Sequence, residues 1–282
     1  MSFSIQQYFN SRFPIHEESQ IYLAPFSNDS QKSEIAFRDT VATQTYSNYL
    51  NIIAKHHSIP VMDREVERVL KNLPKHAVIL DIGGCWGWHW RSIDQIRPDV
   101  KIVILDFSLQ NLFFASNILK HNLNHQIFLV NGDALSLPFS TSQFDLVWSV
   151  QTFQHIPNYR IAFQEVYRVL RKGSGLFVNY TLNDAFLVRS IYRLLCKKYV
   201  LKGNVGPMYL ERSSYSQKQL LASIFRSDVR SRYSEILFTP ELRFPVGSKE
   251  ASLLGRIDSY LSGSSPFFST IARQQSYEVY AS

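Results

Sequence analysis

The chain has 282 residues, room for one large or two small domains, and its 45% hydrophobic content with 20 Phe and 15 Tyr excludes a wholly disordered protein. Two cysteines, Cys85 and Cys196, make no disulfide framework and fit a reducing compartment. The net charge of +7 is uneven: residues 1–74 carry 7 basic and 8 acidic groups, residues 75–183 carry 9 and 7, and residues 184–282 carry 14 and 8.

In residues 1–74 no convincing strand run is found. The stretches 34–57 and 60–73 read as helical, the second opened by Pro60 and carrying Val61, Val66, Val69 and Leu70. A helical N-terminal cap is expected there. Residues 75–183 alternate apolar runs with helical periods. AVILDIGG (77–84), KIVILDFS (101–108), QIFLVNGDA (126–134), FDLVWSV (144–150) and GLFVNY (175–180) are short, rich in Val, Ile, Leu and Phe, and spaced as βαβ units. Between them, Ser108 is placed as an N-cap, and Phe163, Val166, Tyr167 and Leu170 fall on one helical face. This predicts an α/β class fold with an open, doubly wound, mostly parallel sheet. After the fifth strand, residues 185–200 form a basic amphipathic helix with Leu187, Ile191 and Leu194 at i, i+4 and i+7. Such a helix can lie on an anionic membrane, although covering a sheet edge is the commoner role. A Gly/Pro link (202–207), a helix (216–226) and a closing strand (276–281) complete the pattern, so residues 184–282 are expected to supply a helical lid and the last strands.

The richest stretch is VILDIGGCWGWHW (78–90): a strand into Asp81, then Gly83, Gly84 and Gly87, then an expected helix. Glycines let the chain turn sharply and approach a ligand, and a helix start offers free N–H groups to an anion. Alone, this also fits a tight structural turn or a dinucleotide loop. Asp106 ends the second strand, at the same sheet edge, where it can accept both hydrogen bonds of a ribose diol; Asp133 enters after the third strand and can accept from an exocyclic amine. Each acid singly fits a turn or cap, but three adjacent strand ends together favour an adenosine-containing ligand.

The run VILDIGGCWG, followed by LDFS, NGDALSLPF, FDLVWSVQTFQHIPN and VYRVLRKGSGLFV, resembles the class I S-adenosylmethionine-dependent methyltransferases, particularly the small-molecule branch of ubiquinone and menaquinone biosynthesis. The likeness covers residues 75–183 well and 214–282 loosely. It implies a seven-stranded Rossmann-like methyltransferase fold with S-adenosylmethionine as cofactor. By the same resemblance, Asp81, Gly83, Gly84 and Gly87 surround the methionine part, Asp106 takes the ribose, Phe107 lies beside adenine, Asp133 and Ala134 meet its edge, and Gln151 nears the sulfonium. The family's D-x-G-x-G-x-G pattern is not fully kept: Cys85 replaces the middle glycine and Trp86 the following small residue.

The expected reaction is methyl transfer to an O, N or C atom of a small, partly apolar metabolite, with His155 as a base where the acceptor must lose a proton. The acceptor pocket is expected among Phe37, Tyr46, Tyr49, Phe186, Tyr192, Tyr209 and Tyr215. Trp86, Trp88 and Trp90 are read first as packing and second as pocket walls. Two alternatives stand beside this: a non-catalytic binding or scaffold protein of the same fold, and an RNA methyltransferase. The dispersed Lys and Arg of the last third argue against nucleic acid, and no zinc-site spacing occurs. No apolar run reaches the roughly 18–20 residues of a membrane-spanning helix, and residues 1–30 lack a leader pattern, so a cytoplasmic protein is expected.

Overall fold

The computed structural model describes residues 4–25, 32–45, 57–206, 208–237 and 253–282. Near its start lie two short strands, β1 (Ile15–His16) and β2 (Ile21–Leu23), followed by helices α1 (Lys32–Thr45) and α2 (Ser58–Lys71). The strands correct the expectation of a purely helical cap. Ile21 is fully buried and pairs with Leu129, so tertiary contact makes a strand of a run too short to carry a period. Both expected helices form where described; residues 46–56 of the first lie outside the described residues.

The five apolar runs become β3 (Val78–Ile82), β4 (Lys101–Asp106), β5 (Ile127–Asn131), β6 (Leu146–Val150) and β7 (Leu176–Leu182). Between them lie α3 (Ile93–Ile96), α4 (Leu109–Ile118) and α5 (Tyr159–Val169). Ser108 caps α4 as read, its hydroxyl accepting from the Asn111 amide at 3.1 Å. After β7 come α6 (Phe186–Leu194), the hairpin β8 (Lys202–Val205) and β9 (Met208–Glu211), α7 (Tyr215–Phe225), β10 (Arg230–Ser234), α8 (Leu253–Leu261) and β11 (Gln274–Tyr280).

The main sheet has nine strands in the order β1-β2-β5-β4-β3-β6-β7-β11-β10, two more than expected because β1 and β2 extend one edge. The run from β2 to β7 is parallel; β11 is antiparallel to β7 and β10 to β11. Side chains alternate between two buried layers. Leu80, Ile82, Val103 and Leu105 face α5 and α7, whereas Ile79, Ile102, Ile104 and Trp148 face α2 and α4.

A buried carboxylate fastens α2 to the far strands. Glu65 is 1% exposed and accepts from Arg232 at 3.0 and 3.1 Å, from Arg68 at 3.0 Å and from the Tyr180 hydroxyl at 2.8 Å. Burial opposes its charge, but Arg232 and Arg68 outweigh burial and hold its carboxyl below the usual range. Removing one partner of a buried ion pair leaves the others uncompensated, at about 3–5 kcal/mol. Glu65→Ala is therefore expected to lower the urea unfolding free energy by roughly that amount; a loss below about 1 kcal/mol would show that this cluster does not hold α2 in place.

Candidate functional site

The strand order reverses between β3 and β6, so the loops leaving these two strands part and open a crevice at the carboxyl edge of the sheet. Gly83, after β3, has φ +70°, and a Cβ there would lie 2.1 Å from the Thr152 hydroxyl oxygen, beyond β6. A Cβ on Gly84 would lie 2.5 Å from Asp81 Oδ2. Close backbone approach therefore requires glycine at both positions. At the position of the missing middle glycine, Cys85 takes φ +51°, so the chain keeps the left-handed turn despite its side chain. Its amide donates to Asp106 Oδ2 at 2.9 Å, tying the loop to the end of β4.

The helix expected after this loop is interrupted and short. Gly87, at φ +66°, leads into a single 3-10 turn, Trp88–Trp90, and then the four-residue α3. Side chains, rather than a helix, fasten the segment. The Trp90 indole N–H donates to Asp81 Oδ2 at 2.7 Å and packs edge-on to Trp148, while the Trp86 indole donates to Asn111 at 3.0 Å.

Asp81 is 1% exposed, and burial pushes its carboxyl up to about 7; the Trp90 donor opposes the shift and Asp106 adds to it. Burial also raises Asp106, against the amides of Ser108 and Cys85, both at 2.9 Å, and the Asn111 side chain at 3.3 Å. Asp133 is buried after β5 and accepts from the Leu135 amide at 2.8 Å. Ala134 is buried beside it, and the Phe107 carbonyl accepts from Asn131 at 3.0 Å. Gln151 closes β6 at φ +55°, its amide bonded to the Tyr180 carbonyl at 2.7 Å.

A cavity of about 430 Å³ opens over this edge. Of the residues singled out from sequence, Asp81, Gly83, Gly84 and Gln151 line it; Gly87, Asp106, Phe107, Asp133 and Ala134 do not, although Asp106 joins it through Cys85 and Asn111. Trp86 and Trp88 are walls, so the tryptophans divide between lining and, at Trp90, packing. The aromatic residues expected to form the acceptor pocket do not line this cavity: Phe37, Phe186, Tyr192, Tyr209 and Tyr215 are absent from its walls, Phe186 and Tyr215 are 57% and 74% exposed, and Tyr46 and Tyr49 lie outside the described residues. The remaining walls come from Arg38, Ser58 and Met62 on one side and Glu235, Arg273 and Gln274 on the other.

Among the lining residues, Ser58 Oγ and His89 Nδ1 are buried with no hydrogen-bond partner among the described residues. Burial lowers the His89 imidazole to about 4, so it is neutral at physiological pH. His155 lies outside the lining. Its Nδ1–H donates to the Tyr209 carbonyl at 2.6 Å, which leaves Nε2 to accept from the Gln154 amide at 3.1 Å. Burial, reinforced by Arg38, lowers it to about 4 as well. It ties the loop after β6 to the β8–β9 hairpin.

Residues 80–178 match a family model described as a methyltransferase domain. Demethylmenaquinone methyltransferase of Listeria welshimeri is 31% identical over 110 residues, 38% of this chain and 46% of that protein, so the chain matches less than half of its curated relative. A Thermotoga maritima structure, described as an S-adenosylmethionine-dependent methyltransferase and possible histamine N-methyltransferase, superposes with a TM-score of 0.58. It is 15% identical and covers 89% of this chain and all of that one. The putative methyltransferase of Haloferax volcanii, solved with its Trm112 activator, gives 0.55 at 17% identity over 86% and 96% of the two chains. The resemblance read from the motifs thus holds for this segment, and the fold is that of the class I methyltransferases.

The glycine geometry predicts contrasting variants. Gly83→Ala should lower the thermal midpoint by several degrees, because its Cβ collides with Thr152 at an unfavourable φ, whereas Cys85→Gly should leave it unchanged or raised. Equal effects would contradict this reading. The histidines set a pH dependence with a definite sign. Unfolded imidazoles take up a proton near pH 6.5 but His89 and His155 only near 4, so stability falls as pH drops through that window. His155→Asn should make the midpoint measured by calorimetry less sensitive to acid between these values.

Proposed function

We propose that the crevice binds S-adenosylmethionine and that the chain transfers its methyl group to a small, partly apolar acceptor. The observation that carries this is the convergence of the Asp81 glycine loop, Asp106 and Asp133 at the ends of three adjacent parallel strands, β3, β4 and β5. The match of residues 80–178 supports the same reading. Gly83 and Gly84 also line the crevice and present bare backbone there, with no side chain to obstruct a ligand.

In this assignment Asp81, Gly83, Gly84 and Gly87 hold the methionine part, and Asp106 accepts from the ribose diol. Phe107 lies beside adenine, Asp133 and Ala134 meet its edge, and Gln151 is near the sulfonium. The cofactor supplies a methyl group already activated on a cationic sulfur. What is asked of the protein is alignment of acceptor and donor and exclusion of water. Trp86, Trp88 and Met62 supply apolar walls for that purpose. His89, neutral and in the cavity lining, is better placed than His155 to take an acceptor's proton, while His155 serves as an anchor. The acceptor space lies between the cap, residues 1–74, and residues 184–262, over the cofactor core 75–183. A relative named demethylmenaquinone methyltransferase supports an acceptor with substantial apolar surface.

Titration calorimetry of the full chain with S-adenosylmethionine and S-adenosylhomocysteine tests this, and absence of binding for both would leave a non-catalytic protein of the same fold. Asp106→Ala should weaken binding by about tenfold or more through loss of charge-assisted hydrogen bonds. A cationic ligand favours ionised Asp81, whose carboxyl titrates near 7 in the free protein. Affinity for S-adenosylmethionine should therefore fall as pH drops below 7, approaching about tenfold per unit, and Asp81→Asn should flatten that dependence.

A further inference from the structure

The helix α6 (Phe186–Leu194) has a clear apolar stripe and buries none of its residues. Leu187, Ile191 and Leu194, at i, i+4 and i+7, are 43%, 52% and 83% exposed, and Leu195 continues the face at 55%. The expectation that this helix covers a sheet edge is therefore not met. Four exposed leucine and isoleucine side chains on one helical face form a patch rather than scattered single exposures.

Its charge narrows the occupant. Residues 186–205 contain five cations, Arg189, Arg193, Lys197, Lys198 and Lys202, and no carboxylate. Arg189 pairs with Asp184 at 2.9 Å and Lys202 with Glu211 at 3.0 Å; Arg193, Lys197 and Lys198 make no ion pair among the described residues. Leucine and isoleucine on one side, with unneutralised cations beside them, form the pattern of a helix lying in the interfacial plane of an anionic bilayer.

The patch begins at the sheet edge over which the crevice opens. Helix α6 starts just after β7 leaves the sheet at its carboxyl edge, and it packs beside the 3-10 turn Pro266–Thr270. That turn carries Phe267, 62% exposed, and leads directly into Arg273 and Gln274 of the cavity wall.

We infer that α6 and its flanking cations, Arg193, Lys197 and Lys198, dock the protein on an anionic phospholipid surface, with the mouth of the cavity beside the bilayer. This does not depend on methyl transfer, and its test needs no cofactor. The full chain is sedimented with vesicles of phosphatidylcholine alone or of phosphatidylcholine and phosphatidylglycerol at three to one. It should partition onto the charged vesicles at low salt and be released by high salt. Lys197→Ala and Lys198→Ala should each weaken partitioning about five-fold, and Ile191→Glu with Leu194→Glu by at least about tenfold. Circular dichroism checks that these surface variants fold. On the unsubstituted chain, charged vesicles should protect the amides of residues 186–195 from hydrogen exchange.

Failure to bind either vesicle, equal binding to both, or absence of protection in 186–195 would overturn the inference. It would also fall if light scattering found a dimer that Ile191→Glu with Leu194→Glu converts to monomer, since a second copy would then own the face.

Discussion

The hydrogen bond from the Trp90 indole to Asp81 organises the site. In a glycine loop that runs into a long helix, successive backbone turns can hold the loop in shape. Here the helix is reduced to one 3-10 turn, and a side chain reaches back across nine residues to the strand end. The bond satisfies a carboxyl group with almost no access to water, and it sets the tryptophan against Trp148 in the core. The loop is thereby anchored at both ends: by Asp81 to the core, and by the Cys85 amide to Asp106. Cys85, at the second anchor, and Gln151, tied to the Tyr180 carbonyl after β6, take left-handed conformations that ordinary residues adopt only at a cost of about 1–3 kcal/mol each. Fixed surroundings are what allow the cavity to be lined by strained backbone.

The walls of that cavity come from parts of the chain far apart in sequence, and their relative placement rests on a second buried polar cluster. Glu65 joins α2 to Tyr180 on β7 and Arg232 on β10, while Arg68 continues the link to Glu278 on β11. Met62 and Ser58, which face the cavity, lie on the same α2 helix as Glu65. Three and seven residues before Glu65, they share its face of the helix, so the same electrostatic fastening holds these cavity walls in place. In the same way, β11 runs antiparallel to β7 and begins where β7 ends, which delivers Gln274 opposite Leu182 at the edge carrying the glycine loop.

The central fold was legible because it is written in local patterns. Each strand from β3 to β7 is a continuous apolar run, and Ser108 announces α4 through a cap that needs only the residue three positions on. The strand-end acids Asp81, Asp106 and Asp133 could be placed together because a parallel sheet puts the carboxyl ends on one edge. What escaped notice depends on partners distant in sequence. β2 is three residues long and is a strand only because β5 offers an open edge, and Arg-Ser-Arg-Tyr-Ser of β10 has no apolar alternation. Nothing local distinguishes Ser58, His89 or Arg273 as cavity walls. His155 carried a signal by sitting just after β6, but that position says nothing of which way the ring turns, and it turns to the Tyr209 carbonyl. The amphipathic period of α6 was plain in sequence; its lack of a covering partner was not.

The antiparallel placement of β11 also has a consequence in time. The glycine loop is complete by Gly87, yet Arg273 and Gln274 of the same cavity follow nearly 190 residues later. On a ribosome adding about 5–20 residues per second, the open half of the crevice would wait roughly ten to forty seconds for its last wall. During that interval β7 presents an unpaired edge, because its neighbour on that side is β11. The nascent protein thus passes through a stage in which its central strands have formed but an adhesive margin is bare.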